Sequence, residues 1–131
     1  MKQLKINIGR SIDNYGAYAE NAPGIYGGGN TVEEAKISVL EAIAFYKENN
    51  PVNTPPILKD DYELVYKFDT QSFLNYYKGI FTNAALERIT GINQKQLQHY
   101  ATGLRKPRTL QAKKIETALH KLGAELMTVE L

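Results

Sequence analysis

Cysteine is absent from the 131 residues. That absence excludes a disulfide scaffold, a cysteine nucleophile and a thiolate metal site. Histidine is scarce: His99 and His120 stand alone, outside any HExxH-like spacing, which argues against a zinc enzyme. No motif asks for a cofactor. Long apolar runs are also missing. Nothing approaches the ~18–20 residues of a membrane span, and Met1-Lys2-Gln3-Leu4-Lys5 leads into alternation rather than a signal-peptide core. A cytoplasmic chain with no membrane attachment is expected. Disorder is excluded in turn, because 43% of residues are hydrophobic and only 23% charged. The length suits one domain or two small ones, burying roughly two-thirds of the unfolded surface.

What is present is unevenly charged. The net charge is +2 overall, yet residues 1–70 hold seven basic and ten acidic side chains, and residues 71–131 hold nine basic and four acidic. An acidic module (1–70) and a basic module (71–131) with different partners are expected, nucleic acid being one candidate.

In the acidic half, Leu4, Ile6 and Ile8 alternate with Lys5 and Asn7, as in a half-buried strand. Asp13-Asn14 signals a turn before a second strand, Tyr15 to Ala19, and Pro23-Gly24 punctuates before a short third strand at Ile25-Tyr26. Thr31 and Glu34 form a capping box for a helix whose Val32, Ala35, Val39, Ile43 and Tyr46 share one face. Asn49-Asn50-Pro51 ends it. After a proline-rich loop, Tyr62, Leu64, Tyr66 and Phe68 alternate as a fourth strand. The order β-β-β-α-β describes a small α+β layer. Gly27-Gly28-Gly29 before the helix could cradle a phosphate, but no Walker lysine follows and GxGxxG spacing is missing. A tight turn needing positive φ is the reading preferred. Asp13, Glu20, Glu34, Asp60, Asp61 and Asp69 are scattered, as in a solvated acidic face rather than an acid/base pair.

Three stretches carry a resemblance: Asn14-Tyr15-Gly16-Ala17-Tyr18-Ala19-Glu20, Ala22-Pro23-Gly24-Ile25, and Gly29-Asn30-Thr31-Val32-Glu33-Glu34-Ala35, with Ala42-Ile43 towards the helix end. They make residues 1–70 similar to the antitoxin domain of the HicB family. The resemblance implies a partial ribonuclease-H-like fold without nuclease activity, and a toxin protein as partner.

The basic half reads as four short helices with glycine stops. Asp69 or Thr70 caps the first, which buries Phe73, Leu74 and Tyr77 and ends at Lys78-Gly79. Thr82 caps the second, with Leu86 and Ile89 inward and a stop at Gly91. Asn93 caps the third, with Leu97 and Tyr100 inward and a stop at Gly103. A loop, Leu104-Arg105-Lys106-Pro107-Arg108, leads to Thr109 as cap of the fourth, which buries Leu110, Ile115, Ala118, Leu119 and Leu122 and ends at Gly123. Leu86, Gly91, Ile92 and Leu97 have the spacing of two helices meeting steeply, as in a helix-turn-helix. Gln94, Lys95, Gln96, Gln98 and His99 point outward on the third helix. Glutamine can pair bidentately with adenine, and lysine can donate to guanine. No acidic residue lies between Arg88 and Lys114, so nothing there repels phosphate.

Asn83 to Leu86, Gly91-Ile92-Asn93 and Gly103-Leu104-Arg105-Lys106-Pro107 make this half resemble the phage-repressor (XRE-type) helix-turn-helix family, with Glu87 standing where that family favours a small alanine. The resemblance places Gln94, Lys95, Gln96 and His99 where bases are read, and Asn83, Arg105 and Lys106 at or near phosphate contacts. Arg108 continues that basic loop. His99 has no carboxylate or nucleophile at a spacing suited to catalysis and is expected to face the groove or solvent. His120, beside Lys121, suits a helix C-terminus. Glu125 to Leu131 alternates again, as a terminal strand pairing across a dimer axis or packing back on the bundle.

The expected function is that of a HicB-like antitoxin, not an enzyme. It blocks a small basic HicA-type messenger-RNA endonuclease, represses its own operon through operator DNA, and is a homodimer or higher oligomer. Two alternatives stand beside it. One is a DNA-binding regulator without a toxin, its amino half sensing a ligand or oligomerising. The other is a nuclease, which needs clustered carboxylates for Mg²⁺.

Overall fold

In the computed structural model, which describes residues 2–10, 12–49, 52 and 54–131, the alternation of the first residues produces β1 (Lys2–Arg10). Leu4, Ile6 and Ile8 are at most 2% exposed. Their neighbours Lys5 and Asn7 fall on the opposite face, as the two-residue strand period requires. β2 (Tyr15–Ala19) and β3 (Tyr26–Gly29) follow, and β4 (Tyr62–Phe68) completes a sheet of order β3-β2-β1-β4. β1 and β2 are antiparallel with Ile8 opposite Ala17; β2 and β3 are antiparallel with Ala17 opposite Gly27. β4 joins β1 in parallel, Ile6 beside Tyr66. That parallel connection contains α1 (Val32–Asn49) and a one-turn α2 (Pro56–Lys59) that opens on proline. The class is α+β, with six helices and one mixed sheet among the described residues.

The start of α1 is fixed by reciprocal bonds. Thr31 Oγ1 accepts from the Glu34 N–H at 3.1 Å, and Glu34 Oε2 accepts from the Thr31 and Asn30 N–H groups at 3.1 and 2.7 Å. The expected stop at Asn49-Asn50-Pro51 lies partly outside the described residues; the helix is described to Asn49.

The glycine run differs from expectation. Gly27, Gly28 and Gly29 form most of β3, longer than the Ile25-Tyr26 strand, and none has positive φ, which among the described residues belongs to Gly24, Gly91 and Gly103. The reason for glycine is room. A Cβ on Gly27 would lie 2.5 Å from Ser38 Oγ and 2.7 Å from the Val39 nitrogen, and one on Gly29 would meet Glu34. The Gly28 N–H donates to Ser38 Oγ at 3.1 Å. Gly27 and Gly29 let α1 lie directly on the strand, and the Glu34 carboxylate already occupies the N–H groups a phosphate would need.

The chain divides into two compact units, Met1–Asp69 and Thr70–Leu131. The second is wholly helical: α3 (Thr70–Tyr77), α4 (Asn83–Thr90), α5 (Gln94–Thr102) and α6 (Thr109–Leu126). Its core joins Leu74, Leu86, Ile92, Leu97, Tyr100 and Ile115, with Phe73, Phe81, Ile89 and Leu119 packed around them.

Three expectations fail in α6. Thr109 is its first residue, and Arg108 holds the N-cap position without a side-chain cap bond. Leu110 is 84% exposed rather than buried, while Ala118, Leu119 and Leu122 are half-buried. Gly123 does not stop the helix. Met127 donates back to the Gly123 carbonyl at 3.1 Å, and the strong helix formers Ala124, Glu125 and Leu126 carry the ladder on. The expected terminal strand is therefore helix to Leu126 and then turn. Met127, Val129 and Leu131 are exposed rather than packed back on the bundle. No helix among the described residues is long and apolar enough to cross a membrane.

Candidate nucleic-acid interface

The interface rests on how α4 turns into α5. Thr82 Oγ1 accepts from the Ala85 N–H at 3.0 Å and starts α4. Gly91, at φ 78°, ends it in the left-handed region that a side chain would strain. Buried Thr90 bridges the corner: its hydroxyl donates to the Leu86 carbonyl at 2.6 Å and accepts from the Ile92 N–H at 3.0 Å. Ile92 then drops into the core between Leu86 and Leu97.

Two caps set the start of α5. Asn93 Oδ1 accepts from the Lys95 N–H at 2.8 Å, and Glu87 Oε2 from the Gln94 N–H at 2.8 Å. Glu87, which stands where the resembled family favours alanine, therefore reaches from α4 to tie down the next helix. Two orphan N–H groups of α5 are satisfied in this way. At the other end Gly103, at φ 83°, closes α5, with the Gln71 amide only 2.9 Å from where a Cβ would sit. Asn75 Nδ2 donates to the Ala101 carbonyl at 2.8 Å and holds α3 to the same end.

On this frame the expected base-reading residues separate. Gln94, Lys95 and Gln98 are exposed on α5. Gln96 and His99 are half-buried, against the expectation that they face outward. Gln96 Nε2 donates to the Tyr100 hydroxyl at 2.9 Å. His99 Nδ1 is buried and has no hydrogen-bond partner. The turn after α5 is closed on the backbone, the Arg105 N–H donating to the His99 carbonyl at 3.2 Å. Asn83, expected at phosphate, donates to Gln98 Oε1 at 2.9 Å.

Arg105, Lys106 and Arg108 are all exposed on the loop after α5. With Gln96, Tyr100, Leu110 and Gln111 they line an open cleft of about 710 Å³ that carries no acidic side chain. The sequence does not mark Leu110 and Gln111 for this cleft, because the helical stripe assigns Leu110 inward. Nor does it mark Glu87, because a cap from a preceding helix has no short-range pattern.

On the far side of α6, Lys113 and Glu116 pair at 2.8 Å. The Lys113 hydrogen bond holds the Glu116 carboxyl below its usual range, burial opposing only in part. Among the described residues no three His, Asp or Glu side chains gather as a metal site. In the first unit, Glu34 caps α1, Asp60 pairs with Lys2 at 2.7 Å, and Glu20 accepts from Asn7 at 3.4 Å.

Neither a scan against protein-family models nor searches of curated proteins and of solved structures find a match for this chain.

Proposed function

We propose that this protein is a two-part antitoxin and repressor. The second unit binds operator DNA with α5 in the major groove, and the first binds and blocks a small basic messenger-RNA endonuclease of the HicA type. The observation that carries the DNA half is the exposure of Gln94, Lys95 and Gln98 on a doubly capped helix, followed by exposed Arg105, Lys106 and Arg108, which line a cleft without an acidic side chain. Amide side chains and a lysine suit base edges, and the three loop cations suit phosphates. Gln96, half-buried, lines that cleft beside the loop cations, and half-buried His99 lies on the same helix. No catalytic step is assigned to the chain, and its place is where DNA is, in the cytoplasm.

The toxin half rests on the HicB-like motifs and on the acidic balance of residues 1–70, which suits a basic partner. Two copies are proposed to act together, since one module of this size makes a small contact, and paired modules meet half-sites about 34 Å apart or a multiple of that.

Selection of bound sequences from random duplex DNA tests the first half. A pseudo-palindrome is expected, and equal retention of all sequences contradicts it. Co-expression with a HicA-type endonuclease tests the second. Restored growth is expected, and continued arrest leaves a DNA-binding regulator without a toxin.

A further inference from the structure

α1 has two apolar faces. Val32, Ala35, Val39 and Ile43 are buried beneath it. On its outer side Ile37, Leu40 and Phe45 are 57%, 40% and 64% exposed. Their spacing of three and then five residues, with Ala44 between, puts them on one side of the helix. Glu41 and Glu48, both exposed, share that side, four residues after Ile37 and after Ala44. The helix has two lysines of its own, and neither neutralises this face. Lys36 Nζ lies 4.4 Å from the Tyr66 ring centroid and Lys47 Nζ 5.1 Å from that of Tyr62, so both are drawn towards β4.

We propose that this outer face of α1 docks a basic protein partner, whose apolar side chains pack among Ile37, Leu40 and Phe45 and whose Lys or Arg side chains pair with Glu41 and Glu48. The proposal rests on the reading of the first unit as a protein-binding module and names its surface. Charge selects the occupant. A second copy would bring glutamates against glutamates, and nucleic acid would be repelled outright. A surface with exposed apolar residues rimmed by charge of one sign has the make-up of an interaction site.

The test titrates the full-length protein into a labelled helical peptide with a leucine stripe flanked by Lys and Arg, and into its counterpart flanked by Glu. The basic peptide is expected to bind and the acidic one not. Ile37→Asp and Phe45→Asp, made separately, should each raise Kd about tenfold or more, as removal of an interface anchor does. Glu41→Gln with Glu48→Gln should raise Kd less and flatten its dependence on salt. Unchanged helical circular dichroism and unchanged DNA binding show that each variant is folded. If every variant binds the basic peptide as the parent does, α1 is not the surface and the proposal fails. If the parent binds neither peptide, the surface fails, and the reading beneath it is decided separately by growth on co-expression with a HicA-type endonuclease. If light scattering shows the parent's mass halved by Phe45→Asp, the face is covered by a second copy and the proposal fails.

Discussion

The two units are held together in different ways. In the first, order comes from close approach without spare room: α1 lies on a strand of bare glycines, and Leu4 and Ile6 are fully enclosed. In the second, order comes from ends and corners. Thr82, Thr90, Gly91, Asn93, Glu87 and Gly103 each settle one helix terminus around a core of six buried residues. A unit built on close approach is broken by added bulk; one built on caps is loosened in small steps. The difference suits their proposed work, because a reading helix must be aimed and caps are what aim it.

That contrast can be broken from either side. The largest effect is expected for Leu97→Ala, which empties a fully enclosed position and should cost about 2–5 kcal/mol. Amide hydrogen exchange should show the weakening in the second unit, with the sheet still protected. Equal weakening in both would end the division of labour. Gly29→Ala comes next. Its methyl would meet Glu34 and should cost about 1–3 kcal/mol in the first unit, with DNA binding intact. A neutral result would show that α1 can lift off the strand.

Removing caps should cost less. Thr82→Ala is expected to lower stability by about 1 kcal/mol in urea titration. Glu87→Gln should lower DNA affinity more than it lowers stability, since the Gln94 N–H it holds belongs to the helix proposed to read bases. Leu126→Lys should lower the mass seen by light scattering if the exposed end of α6 joins two copies.

The smallest effect concerns pH. The Glu116 carboxyl is held below its usual range by Lys113, so the pair's contribution is present at neutral pH and lost as pH falls through that lowered value. Both side chains are about half exposed or more, so no more than a few tenths of a kcal/mol is expected, vanishing in high salt. A Glu116→Gln variant compared with the parent in acid and neutral urea titrations checks it.

The second unit is the more legible in sequence, and the reason is locality. Thr82, Gly91, Asn93 and Gly103 act within a few residues of where they stand, so their roles are written beside them. Strand alternation likewise marks β1 and β4, but nothing in it says that β4 pairs with β1 in parallel, a pairing some sixty residues apart in sequence. Gly27 to Gly29 resemble a turn because composition does not tell a glycine needed for φ from one needed for space. α6 outruns its expected end because a lone glycine costs a helix only about 1 kcal/mol, which neighbouring residues offset. Within the candidate interface, helical period alone decides which residues face outward. The period places Gln96 and His99 well enough around α5 but does not register the tyrosine hydroxyl that takes the Gln96 amide or the burial of His99 Nδ1.

The central claim is that α5 reads bases while the loop after it holds phosphates. Affinity for a selected site and for scrambled DNA, plotted as log affinity against log salt, tests it most directly. Gln94→Ala and Lys95→Ala should cost about 1–3 kcal/mol on the selected site and little on scrambled DNA. Arg105→Ala, Lys106→Ala and Arg108→Ala should weaken both alike and flatten the slope by about 0.9 for each phosphate no longer neutralised. If the Gln94 and Lys95 variants lose selected and scrambled binding equally, α5 is not the reading helix and the account is contradicted.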